Sequence, residues 1–188
     1  MALPTNEATL LLQRIHGGDP AAKDELLQLL YRELRGLAGA LLARERKNHT
    51  LQPTELVHEV WLRTLGDRAV PTFEGSAHFL ASIAKAMRHV LVDHARARAS
   101  LKRGGGQANL GLDAVLDSFD GQSLDVVELS DALEWLQARD PELARIVELR
   151  YFAGLSIPET ATALGVSPST VERSWRIGRM WLRKALSS

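Results

Sequence analysis

Leucine recurs at spacings of three and four at Leu26, Leu30, Leu34, Leu37 and Leu41. That period is the apolar stripe of a core-facing α-helix. Asp19-Pro20 supplies its start, with Asp as N-cap and Pro in the first turn. The stripe ends in the polar cluster Arg44 to His49. A shorter amphipathic helix is predicted before it, from Glu7 to His16, stopped by Gly17-Gly18. A third is predicted over Leu51 to Leu65, with Thr50 as N-cap and Pro53 tolerated in the first turn. Gly66 to Gly75 reads as a loop, and Ser76 caps a long helix reaching Ser100. The second half repeats the helical period over Leu129–Ala138, Pro141–Phe152, Ser156–Leu164 and Pro168–Leu186. No segment alternates with the period of a strand, so the expected fold is all-α.

The last two helices carry the sharpest pattern. Ser156 followed by Glu159 is a capping box. A helix of about eight residues follows, Gly165 suits a left-handed C-cap, Val166 is expected to pack inward, and Ser167-Pro168 opens the next helix. Helix, glycine turn and helix make a helix-turn-helix. At roughly 100° per residue, Val171, Trp175, Gly178, Leu182 and Ala185 share one face of the second helix. Ser169, Glu172, Arg173, Arg176, Arg179 and Arg183 share the other. Arginine forks match guanine edges and phosphates, so a helix with this outer face suits a DNA major groove. Trp175 and Trp181 are read as packing residues.

Charge changes the picture through its distribution. The chain of 188 residues has a formal net charge of zero. From Lys85 to Arg103, however, there are six basic residues and one acid, Asp93. From Gly104 to Glu134 there are seven acids and no Lys or Arg. The neutral total thus hides a basic helix followed by an acidic, glycine-rich connector. On that helix Phe79, Leu80, Ile83, Met87, Val90, Leu91 and His94 face one way, His94 read as a packed core residue. Lys85, Arg88, Arg96 and Arg103 face the other, an almost purely positive arc that suits a polyanion.

These signals divide the chain into two small helical domains, residues 1–103 and 124–188, joined by a flexible linker over 104–123. The hydrophobic fraction of 45% is that of a globular protein, and aromatics at 5% lean away from β structure. With no cysteine there is neither a disulfide nor a thiolate metal site. His78 and His89 lack partners at metal-binding spacing, so neither metal nor cofactor is expected. The N-terminus lacks the features of a signal peptide, and no apolar run approaches a membrane span, so a cytoplasmic protein is expected. No P-loop, dinucleotide fingerprint or nucleophile elbow asks for catalysis or a small-molecule substrate.

Three stretches resemble one family. LVDHARARA, Leu91 to Ala99, is similar to the (I/V)DHxRR stretch that closes the promoter-reading helix of extracytoplasmic-function (ECF) sigma factors. ELVHEVWLRTL, Glu55 to Leu65, resembles their polymerase-binding helix. The run from Asp140 to Leu186 resembles their C-terminal domain almost end to end. The resemblance implies a protein that binds core RNA polymerase and promoter DNA. Its N-terminal domain would bind the polymerase clamp and read and melt the −10 element, and its C-terminal domain would bind the −35 element.

By position, polymerase contacts fall to Glu55, Leu56, Glu59, Val60 and Arg63. The −10 contacts fall to the loop with Phe73 and to His78, Lys85, Arg88, Arg96 and Arg98. The −35 contacts fall to Ser169, Thr170, Glu172, Arg173, Arg176 and Arg179.

The chain departs from the family at one point. Where many ECF sigma factors carry an acidic DAED-type cluster, it reads Gln52, Pro53, Thr54, Glu55. A phosphate on Thr54, with Thr50 as second candidate, would restore the missing negative charge at a helix N-terminus. The partner would then be a Ser/Thr protein kinase, with an anti-sigma factor as the other regulator expected. The rival reading is a stand-alone helix-turn-helix regulator that binds duplex DNA without polymerase.

Overall fold

The computed structural model describes residues 5–44, 51–66, 73, 75–101 and 126–186. These residues form eight α-helices: α1 (Thr5–His16), α2 (Ala22–Arg44), α3 (Pro53–Leu65), α4 (Ser76–Leu101), α5 (Val126–Arg139), α6 (Pro141–Tyr151), α7 (Ile157–Leu164) and α8 (Pro168–Leu186). The all-α expectation holds: no strand occurs among the described residues. Helices α1 to α4 pack as one bundle and α5 to α8 as another. The expected linker, Thr50 and Arg103 lie outside the described residues.

Helix starts follow local chemistry more than hydrophobic period. Helix α1 ends where Gly18 adopts φ 84° and the Asp19 amide donates to the Arg14 carbonyl at 3.0 Å. Asp19 then accepts from the Ala21 amide at 3.0 Å, and α2 starts at Ala22, two residues beyond Pro20. Arg14 ties the two helices, reaching Asp19 at 2.9 Å and both Glu25 oxygens at 2.6 and 2.9 Å. Helix α3 starts at Pro53, with Gln52 as its N-cap and the Glu55 carboxylate accepting from the Gln52 amide at 2.8 Å. The Thr50 cap expected from sequence is therefore displaced by two residues. Helix α5 starts at Val126, three residues before the expected Leu129, because Val126 is itself a core residue.

The leucine stripe of α2 is buried at Leu26, Leu30, Leu34 and Leu41, while Leu37 is half-buried at its edge. It meets α1 and α3, and α3 meets α4 through Leu56, Val57, Val60 and Leu65 on one side and Phe79, Ile83, Met87 and Val90 on the other. The core does not stop there. One continuous set of buried side chains runs from Ala8 through α4 into Leu133, Leu136, Val147, Leu149, Phe152 and Leu182. Helix α4 is the shared wall, in contact with α1 and α3 as well as α5, α6 and α7.

In the second bundle α8 lies against α6 at Gly178, which is buried. A Cβ there would stand 2.6 Å from Val147 Cγ2 and 3.5 Å from Leu143 Cδ1. Valine is stiff about χ1 and cannot swing clear. Gly178→Ala should therefore lower stability by about 1–3 kcal/mol, the usual cost of overpacking, seen as a lower urea midpoint at unchanged m-value.

Candidate nucleic-acid interface

The helix-turn-helix is built by caps and a staple. Ser156 and Glu159 form the expected capping box, with the Ser156 amide donating to Glu159 Oε2 at 2.6 Å and the Glu159 amide to Ser156 Oγ at 3.3 Å. Gly165 closes α7 in the left-handed region at φ 66°, ψ 30°. Ser167 Oγ accepts from the Thr170 amide at 3.1 Å and so caps α8. A second, smaller core of Ile146, Ala161 and Val171 locks α7 and α8 onto α6. Arg150 donates to the Leu155 carbonyl at 2.5 Å and lies over the Trp175 ring at 5.1 Å. Burial pushes its pKa down against the opposing pull of Glu159. The guanidinium thus fixes the end of α6, the loop before α7 and the middle of α8 together.

Helix α8 presents the two faces its period predicts. Val171, Gly178 and Leu182 are buried, with Trp175 and Ala185 half-buried. Ser169, Glu172, Arg173 and Arg176 are exposed, while Thr170 and Arg179 are half-buried. The Ser169 and Thr170 hydroxyls lie 2.9 and 2.8 Å from Ser167 Oγ, a polar tip at the N-terminus of the helix. Trp181 packs beside Trp135, ring centroids 5.5 Å apart. Val166 does not turn inward: it is 40% exposed, because the glycine turn points it outward.

Helix α4 departs from its sequence reading at three residues. Arg88 is not on an open basic face; it is 7% exposed. Its Nε donates to Glu148 Oε1 at 2.9 Å and its Nη1 to Ser130 Oγ at 2.9 Å, with Glu134 at 3.6 Å. Arg96 is exposed but reaches Asp131 at 3.4 Å. His94, expected in the core, is exposed instead, and its Nε2 lies 3.2 Å from Glu59 Oε2. The bundle core ends one turn earlier, at Val90 and Leu91. Lys85 is exposed and Arg98 half-buried. Phe73 is half-buried, edge-on to His78 at 5.7 Å and to Phe79 at 5.2 Å. His89, half-buried, has its pKa lowered by burial and then by Arg88 and Lys85.

The residues assigned to polymerase separate into two sets. Leu56 and Val60 are fully buried in the bundle, so these two support the helix from within. Glu59 and Arg63 pair at 2.7 Å, and Arg63 reaches Asp93 on α4 at 2.9 Å. Burial works against the Arg63 charge, but hydrogen bonds to Asp93 and Glu59 outweigh it and raise its pKa. The outer surface of α3 is a shallow groove lined by Thr54, Glu55, His58, Glu59 and Leu62. Leu62, 55% exposed, and His58 were missed in the sequence. Both continue the four-residue spacing from Thr54, the only hint available there.

A family model described as ECF sigma factor matches residues 5–188. No curated protein and no solved structure matches the chain significantly. The chain belongs to the ECF sigma factor family. It is therefore a transcription initiation factor, of a family that binds core RNA polymerase and promoter DNA and is not a family of catalysts. No described helix is long and apolar enough to cross a membrane.

Ser156→Ala removes one side of the capping box and should cost about 1 kcal/mol, read as a lower denaturation midpoint. Duplex binding should weaken in parallel, since the cap positions α8 but lies outside its exposed face.

Proposed function

From membership of the ECF sigma factor family, we propose that this chain divides promoter recognition between its two helical halves, residues 1–103 and 124–188, with 104–123 as tether. The exposed arginine face of α8 carries the reading: Arg173 and Arg176 stand clear of the bundle behind a capped, stapled helix. In this reading Arg173, Arg176 and Arg179 enter the −35 major groove, with Ser169, Thr170 and Glu172 at the leading end. Guanidinium forks supply both base contacts and phosphate neutralisation. The −10 strand runs over α4, along Lys85, Arg96 and Arg98, with Phe73 and His78 beside its bases, while Arg88, buried against Glu148 and Ser130, lies behind this track. A basic track with stacking rings is what a melted strand requires. Each module alone binds weakly, and the tether raises the effective concentration of the second once the first is engaged.

Core polymerase docks on the outer groove of α3, through Thr54, Glu55, His58, Glu59 and Leu62. Thr54 is exposed in the first turn of α3. A phosphate there would add about −1.5 to −2 charge beside the helix N-terminus, where the macrodipole favours it. A Ser/Thr kinase working in the cytoplasm is the regulator this chemistry fits, with an anti-sigma protein as the other class.

Run-off transcription with purified core polymerase tests the reading. Core plus protein should give a promoter-specific transcript. Arg173→Ala with Arg176→Ala should cut it by at least about tenfold, as each good base contact carries about 1–3 kcal/mol. No transcript, together with tight duplex binding by the protein alone, would instead make it a stand-alone regulator. For the switch, Thr54→Glu should raise transcription and Thr54→Ala should depress it in cells. Full cellular activity of Thr54→Ala would exclude Thr54 as the control point.

A further inference from the structure

Asp93 is the one acid in the basic run from Lys85 to Arg103. It stands exposed on α4, the helix given to the promoter strand, where a bare carboxylate would repel phosphates. Its partner lies on another helix. Arg63 of α3 donates from Nη1 to Asp93 Oδ2 at 2.9 Å and from Nη2 to Glu59 Oε1 at 2.7 Å. The second Glu59 oxygen, Oε2, lies 3.2 Å from His94 Nε2. Neighbours in sequence on α4, Asp93 and His94 thus hold from opposite ends an Arg63–Glu59 pair that belongs to α3.

The pair alone would do little. A glutamate and an arginine four residues apart on an exposed helix surface attract weakly and leave both long side chains mobile. Asp93 changes two things. Carboxylates on two different nitrogens of one planar group fix the plane of the guanidinium, and with it the Glu59 carboxylate. Charge is the second. Arg63 and Glu59 alone cancel, whereas with Asp93 the cluster keeps a net negative charge. Glu59 lines the outer groove of α3 with Thr54, Glu55, His58 and Leu62. Gln52, Pro53 and Thr54 bring no charge of their own. The groove therefore depends on Glu55 and Glu59 for its negative charge, and Asp93 keeps the second from being cancelled by Arg63.

Resting on polymerase docking at this groove, we propose that Asp93 is a positioning residue for that docking: through Arg63 it orders Glu59 and leaves its charge available to a cationic polymerase surface. Asp93 belongs by sequence to the strand-reading helix and acts on the neighbouring one. A side chain ordered before docking does not have to be ordered during it, which strengthens binding.

Binding of the full chain to immobilised core polymerase tests this through a double-mutant cycle. Glu59→Gln should weaken binding, and Asp93→Asn alone should weaken it about three- to tenfold, the gain expected from one pre-ordered side chain. In the Glu59→Gln background Asp93→Asn should change affinity by less than about twofold, because the residue it positions is gone. Asp93→Glu keeps the carboxylate and should recover most of the loss. The cycle separates positioning from a general loss of fold, which would weaken binding by the same factor in either background.

Unchanged affinity for Asp93→Asn where Glu59→Gln binds weakly overturns the positioning role and leaves the docking reading intact. An equal loss from Asp93→Asn in both backgrounds also overturns it. So does wild-type affinity for polymerase combined with tighter strand binding, the behaviour of a carboxylate that only repels phosphate. No effect of Glu59→Gln on polymerase binding would remove the docking groove itself, and the proposal with it.

Discussion

A charge that cannot be neutralised sits at the centre of this molecule. Arg88 is buried on the shared helix of two bundles, and arginine keeps its proton in any protein environment. Burial without a partner would cost several kcal/mol, so Glu148 and Ser130 must meet it. Those two residues come from α6 and α5, which fixes where the second bundle lies on the first. The apolar contacts around α4 supply the adhesion, and this ion pair supplies the register. A pair of this kind contributes little net stability compared with a well-packed apolar substitute. Its effect is on the register of the two bundles.

The second bundle itself depends on another guanidinium. Arg150 joins the end of α6, the Leu155 carbonyl and the ring of Trp175. Together with the Ser156–Glu159 box and the left-handed Gly165, it fixes the angle at which α8 projects. Three inexpensive devices, each local in sequence, thus aim a helix whose exposed side carries Arg173 and Arg176. Helix α3 shows the same economy. Leu56 and Val60 hold α3 from below, which leaves Thr54, His58 and Leu62 outward.

Much of this was legible in the sequence because it is local. The apolar period of α2, the capping box, the glycine turn and the two faces of α8 involve residues within a turn or two of one another. The starts of α3 and α5 were misplaced by a few residues, where Gln52 caps in place of Thr50 and Val126 is drawn into the core. What failed was anything that needed to know what packs on the far side of a helix. A helical wheel counts one apolar face, but α4 is packed on both sides, so Arg88 looked solvent-facing. His94 failed for the converse reason: it lies on the apolar face but beyond the end of the bundle. Leu56 and Val60 were assigned to polymerase because a family motif marks positions along a helix and not the direction in which each side chain points.

Small-angle X-ray scattering of the full-length protein without DNA tests the closed arrangement most directly. For two bundles sharing α4, the radius of gyration should lie near about 16–18 Å, close to the value for one compact body of this length. It should rise when Glu148 is replaced by Gln. A wild-type radius well above that range, with the two-maximum distance distribution of separated lobes, would contradict the account.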